Sequence, residues 1–175
     1  MKIGLISDTH IAKPHESIPP QVKTAFNGVD LILHAGDIWI PSALDELEVI
    51  APVTAVWGDD DFDHDLGDDP RMSKERVFEI EDHTIWLVHE KPPYGHIVPR
   101  ENRVFSRKPD NNHRVPDIVV YGHTHKSMLE KYKGVLIINP GSPTWPNNFP
   151  ELGTVAILTL NSGDPEIEFI DLKQV

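Results

Sequence analysis

No cysteine occurs in the 175 residues, so no disulfide, thiolate nucleophile or Cys-ligated zinc is available; any metal site has to be built from His, Asp, Glu or Asn. Basic residues are short as well. Sixteen Lys and Arg face 28 Asp and Glu, a formal charge of -12 that would repel nucleic acid and anionic lipid before contact. Bulk nucleic-acid binding and membrane association are thereby excluded, while a local anion site is not. No apolar run approaches the roughly 18 residues of a spanning helix, and the N-terminus enters a strand-like run without a signal-peptide pattern, so the expectation is a soluble, cytoplasmic protein. Hydrophobic residues still make up 39% of the chain, enough for one packed domain over residues 1–175 and too many for a disordered one.

Residues 3–7, 31–35 and 53–57 read as strands separated by two helix-like segments, one opened by Pro19 and Pro20 and running to about Gly28, the other over 41–51 with Leu44, Leu47 and Ile50 at helical spacing. This alternation predicts parallel βαβ units. Residues 76–80 and 84–89 look like a hairpin, and 117–121 like a buried strand; 128–132, 135–138, 153–160 and 166–172 predict an antiparallel meander. The stretch 90–116, rich in proline, charge and asparagine, is too long for an ordinary connection and reads as a lid or an insert.

Several of these strands end in metal-ligand chemistry. Asp8 and His10 follow the first, Asp37 the second, and Asp59, Asp60 and Asp61 the third; His89 closes the hairpin, and His123 and His125 follow strand 117–121. Carboxyl ends of parallel strands gather along one edge, so these residues are expected to converge. In extended chain, positions i and i+2 point the same way, which pairs Asp8 with His10 and His123 with His125. The glycines before Asp37, Asp59 and His123 would let the backbone turn sharply or approach an ion closely.

The ordered set D-x-H, G-D, G-D-x-D, H, G-H-x-H, followed by Asn139-Pro140-Gly141-Ser142, resembles the calcineurin-like metallophosphoesterase superfamily, most of all its compact bacterial and archaeal phosphodiesterase branch. The resemblance implies an α/β fold, an αββα sandwich of two mixed β-sheets flanked by helices, with two divalent metal ions. It places one ion on Asp8, His10, Asp37 and His125, the other on Asp37, Asp59, His89 and His123, with Asp37 as the bridge. Such a His and carboxylate shell suits Mn best and admits Ni, Zn, Fe or Mg. The implied reaction is hydrolysis of a small phosphoester, most often a diester, by in-line attack of a metal-bridging hydroxide, with Asp37, Asp59, Asp60 and His123 at the reacting centre. The same fold also resembles a retromer subunit that uses a degenerate metal site as a protein-docking surface; a non-catalytic scaffold is therefore the alternative. The residues leave self-association into a homo-oligomer open.

The chain departs from the family pattern at two places. Asp59 stands where the pattern has asparagine. Two divalent ions carry +4 against -3 from Asp8, Asp37 and Asp59, so a bridging hydroxide brings the formal charge to zero where asparagine would leave +1. That disfavours a dianionic monoester relative to a monoanionic diester. Asp60 stands where larger relatives carry a histidine that protonates the leaving group, and an ionised aspartate is a poor acid at neutral pH; His64 is the substitute within reach. Asp63, Asp65, Asp68 and Asp69 read as a solvated acidic loop. His34 is expected to be buried and hydrogen-bonded, Trp39 and Trp57 to pack near the site, and Arg100, Arg103, Arg107 and Lys108 to be a solvated charged run.

Overall fold

The computed structural model describes residues 1–13, 16–61, 66–97, 115–161 and 163–175. It opens as a βαβαβ run: β1 (Lys2–Ile6), α1 (Pro20–Ala25), β2 (Leu31–His34), α2 (Pro41–Glu48) and β3 (Val53–Val56). Both helices begin on proline, whose missing N–H costs nothing in a first turn. After them come β4 (Met72–Ser73), β5 (Arg76–Ile80), β6 (His83–Leu87), α3 (Tyr94–Ile97), β7 (Ile118–Val120), β8 (Ser127–Tyr132), β9 (Val135–Pro140), β10 (Thr154–Thr159) and β11 (Glu166–Asp171). They form two mixed sheets, ordered β11-β10-β1-β2-β3-β4 and β5-β6-β7-β9-β8, with β1, β2, β3 and β4 parallel in the first and β6, β7 and β9 parallel in the second.

Alternation along the strands sorts the core into layers. Ile3, Leu5 and Leu33 of the first sheet meet Ile85, Leu87, Ile118, Val120 and Ile138 of the second, while Ile6 and Ile32 turn outward to Val22, Phe26, Leu44 and Leu47 of the helical layer. Val119, Tyr121, Val135 and Ile137 face the other way, onto Ile97 of α3. Strands buried on both faces are the reason the sequence shows unbroken apolar runs there. Gly4 lies against the Phe26 ring, where a Cβ would come within 3.1 Å of it.

The expected C-terminal meander is instead two hairpins in different sheets: β8 and β9 extend the second, β10 and β11 the first. Burial explains the split. Ile138 faces the inter-sheet layer and Ile137 the outer one, which places β9 inside the second sheet, whereas Ala156 and Leu158 of β10 face that layer from the opposite side. Both helices stop short of their expected ends, α1 at Ala25 and α2 at Glu48. Asp68 is exposed as expected, but Asp69 is not simply solvated: it receives Arg71, whose guanidinium also reaches Asp45 and Glu48 of α2, both at 2.8 Å. Asp63, His64, Asp65 and the basic run from Arg100 to Lys108 lie outside the described residues. No helix among the described residues is long and apolar enough to cross a membrane.

Candidate metal centre

Past the ends of β1, β2 and β7 the chain enters a recurrent strained conformation. Asp8, His10, Asp37, Trp39, His123 and His125 all have left-handed backbone, with φ of 53°, 46°, 57°, 83°, 67° and 55°. Each such residue costs on the order of 1–3 kcal/mol and persists only where its surroundings over-determine it. Here the first two loops are stitched together, with Asp8 N–H donating to Gly36 O, His10 N–H to Asp37 O and Ile11 N–H to Ile38 O at 2.9–3.2 Å. Because these segments are not extended, the expected pairing of i with i+2 holds for Asp8 and His10 but fails for His123 and His125, which turn into different groups.

Two groups of potential ligands result. Asp8, His10, Asp37 and His125 bring ligand atoms within 4.8 Å of one another, and Asp59, His89 and His123 do the same. Each group draws on both sheets: His125 joins three residues from the loops of the first sheet, and Asp59 joins two from loops of the second. In the first group, His10 Nε2 and His125 Nε2 are 3.1 Å apart, His10 Nε2 is 3.7 Å from Asp37 Oδ2, and His125 Nε2 is 3.6 Å from Asp8 Oδ1. In the second, Asp59 Oδ1 lies 2.8 Å from His89 Nε2 and 2.9 Å from His123 Nδ1. Asp37 Oδ2 is also 3.4 Å from His89 Nε2, so this one oxygen stands between the groups.

The donor set fits cations. His89 Nδ1–H donates to Ala35 O at 2.7 Å and His125 Nδ1–H to Trp145 O at 3.0 Å; because a carbonyl can only accept, each Nδ1 keeps its proton and each Nε2 faces inward as the nitrogen that would bind a cation. Asp8 Oδ2 is buried with no hydrogen-bond partner among the described residues, an orphaned acceptor that a cation would satisfy. The groups differ in exposure. Asp8 is fully buried, while the side chains of Asp59 and His123 are 51% and 45% exposed.

Without cations the charges strain against one another. Burial pushes the Asp8 carboxyl up to about 6, against the Ser7 hydrogen bond and the nearby imidazoles. Burial holds His10 below the ordinary imidazole value. It pulls His89 down too, but the hydrogen bond and charge of Asp37 outweigh it and raise His89 to about 9. Asp37 is held low in return, the His89 contact overriding its burial. Asp59 is likewise low despite burial, through its own backbone amide and His123.

The supports are mostly main chain. Asp61, expected to converge with the potential ligands, joins neither group; its carboxylate instead accepts four backbone amides: Oδ2 from Asp37 and Gly58, both at 2.9 Å, and Oδ1 from Ile38 at 2.7 Å and Trp39 at 2.8 Å. Its signal was the closing aspartate of Gly58-Asp59-Asp60-Asp61. Asp60 N–H donates to Asp37 Oδ1 at 3.0 Å, and the Asp60 side chain is exposed. His34 is buried as expected; it accepts Gly36 N–H on Nδ1 and so donates from Nε2 to Thr9 Oγ1 at 3.1 Å. Trp39 meets His10 edge-on at 4.9 Å. Asn139 donates to Gly122 O at 2.6 Å, and buried Ser142 Oγ donates to Asp8 O while accepting Trp145 N–H, both at 2.7 Å. The three glycines serve packing more than turning. A Cβ on Gly58 would collide with the Asp37 carboxylate, one on Gly122 would come within 2.9 Å of Asp8 Oδ2, and only Gly36, with φ of 94°, also needs the left-handed region.

Residues 1–163 match the model of the calcineurin-like phosphoesterase superfamily domain. The chain is 40% identical to a probable metallophosphoesterase of Methanothermobacter thermautotrophicus over 83% of its own length and 79% of that protein's. It is 28% identical to a phosphodiesterase of Methanocaldococcus jannaschii over 81% of its length and 83% of the relative's. Among solved structures, Vps29 of Entamoeba histolytica in complex with zinc superposes with a TM-score of 0.66 at 25% identity, covering 98% of this chain and 99% of that one.

Proposed function

We infer the reaction from one premise: the chain belongs to the calcineurin-like phosphoesterase superfamily. The protein is then a hydrolase of phosphoesters, with diesters favoured. Asp8, His10, Asp37 and His125 hold one divalent ion, and Asp59, His89 and His123 hold the other, with Asp37 shared. The observation that carries this reading is the position of Asp37 Oδ2, within 3.4 Å of His89 Nε2 and 3.7 Å of His10 Nε2, at the seam of two ligand groups. Mixed imidazole and carboxylate donors make Mn the first choice, with Ni, Zn, Fe and Mg as competitors.

When bound, a pair of divalent ions supplies Lewis acidity toward the phosphoryl oxygens and a water acidic enough to attack near neutral pH. The chain's own residues do the positioning. Ala35 O and Trp145 O fix the His89 and His125 tautomers, and Asp61 fixes the backbone that carries Asp37. Exposed Asp59 and His123 form the open side, where a small ester enters. Asp60, anchored through its amide to Asp37, presents its carboxylate at the rim beside the leaving group. Three aspartates in the two groups offset most of the cation charge, which favours the single negative charge of a diester.

Metal analysis followed by hydrolysis of bis(p-nitrophenyl) phosphate and p-nitrophenyl phosphate, with Mn, Ni, Zn or Mg added, tests this reading. Metal-dependent turnover with the diester preferred is the expected result; absence of metal uptake would overturn the centre. The likeness to Vps29 supports a second reading, a protein-docking scaffold, and metal uptake without turnover of either ester would favour it.

A further inference from the structure

The loop after β9 is held unusually tightly for a segment that leaves large apolar side chains in water. Thr144 Oγ1 donates to Thr9 O at 2.7 Å, Trp145 N–H to Ser142 Oγ at 2.7 Å, and Asn147 N–H to His125 O at 3.3 Å, while Trp145 O accepts from His125 Nδ1–H at 3.0 Å. Farther along, Glu151 N–H returns to Thr144 O and Gly153 N–H to Pro143 O, both at 3.1 Å, and Asn147 and Asn148 are left-handed. On this anchored loop Trp145 is 38% exposed and Phe149 68%. The other exposed large apolar residues among those described are the chain ends, Met1 and Val175, and Val49, Leu129 and Tyr94, the last packed against the Tyr132 ring.

Trp145 is therefore placed, through its own carbonyl, against a ligand of the first group. Beside the second group the rim differs: the carboxylate of Asp60, which belongs to neither group, is exposed there. An ester carrying further phosphates would be repelled there, whereas an uncharged flat group meets no penalty and can cover the aromatic surface.

We propose that Trp145 and Phe149 form an apolar lip of the phosphoester site, a subsite for the organic half of a monoanionic ester that presents a flat, uncharged face. The proposal rests on the phosphoesterase reading and deepens it by naming the substrate's non-phosphate half.

Isothermal titration of the Mn-loaded protein with phenylphosphonate and methylphosphonate, each as its singly charged monomethyl ester, tests it, since the two probes share one charged head and differ by ring against methyl. The wild type should bind phenylphosphonate about tenfold more tightly, the worth of one good aromatic stack. Phe149→Ala should erode that preference, and Trp145→Ala combined with it should abolish it, with methylphosphonate affinity unchanged. Phe149 is exposed enough that its truncation leaves the core intact, so the single variant keeps the test decisive if the double variant folds poorly. Equal affinity of the wild type for both probes would overturn the lip, as would a preference that survives Phe149→Ala undiminished, or phenylphosphonate binding that survives metal removal. Failure of the Mn-loaded protein to bind methylphosphonate at all would instead overturn the phosphoesterase reading, and the lip with it.

Discussion

Replacing Asp61 by asparagine changes one oxygen to nitrogen and should nonetheless be among the costliest changes in this protein. The carboxylate serves four amides, two on each oxygen. A carboxamide can keep two of them on its carbonyl; its NH2 then faces the other two, donor against donor. With Oδ1 retained, the orphaned amides are those of Asp37 and Gly58. Each lost partner of a buried donor costs about 1–3 kcal/mol, and since Asp61 is only partly buried, about 2–4 kcal/mol in total is expected. For a domain of this size that is a fall in Tm of about 5–15 °C. The same change frees Asp37 from the left-handed conformation that sets its carboxylate between the two groups, so Mn stoichiometry should drop as well. Thermal melts and metal analysis of Asp61→Asn beside the wild type check both. A variant that melts within about 2 °C of wild type and keeps its Mn would refute the idea that Asp61 positions the centre.

Gly58→Ala should fold but lose Mn, because its Cβ would collide with the Asp37 carboxylate; metal analysis of the purified variant reads this directly. Asp59→Asn should raise hydrolysis of p-nitrophenyl phosphate relative to bis(p-nitrophenyl) phosphate, since it removes one negative charge beside His89 and His123; an unchanged ratio would count against the charge argument. His34 is buried neutral, burial lowering it from 6.5 to about 3. The unfolded chain then takes up this proton first, so the associated stability is present above pH 6.5 and is lost as pH falls toward 3, about 2 kcal/mol of it by pH 5. Denaturation of wild type and His34→Gln across that range should show the shallower slope in the variant.

The strands and the residues that gather in the two groups were legible in the sequence because both depend on local signals: apolar runs buried on two faces, and Asp, His and Gly at strand ends. The partition of the C-terminal strands was not, since which sheet β10 joins is decided by a layer contributed from elsewhere in the chain. Spacing alone also misled at His123 and His125, which the family resemblance assigns to different ions and which fall in different groups. Their spacing suggested a common direction, but left-handed residues depend on tertiary restraints that no dipeptide announces. The role of Asp61 was hidden for a related reason: a carboxylate that serves amides leaves no chemical trace beyond its position in the motif. Trp145 and Phe149 gave no periodic signal at all, and only the bonds of their loop to His125, through Trp145 O and Asn147 N–H, set that loop beside the first group.

Both ligand groups take members from each half of the sandwich, and this has a mechanical consequence. A cation seated in either group would act as a clasp across the two sheets at the very edge where strand hydrogen bonds run out. Prising the halves apart would then require stripping ligands from the ion before the apolar layer between them could open. Loading should therefore slow unfolding more than it speeds folding, and the amides of β1, β2, β6 and β7 should exchange with solvent together rather than sheet by sheet.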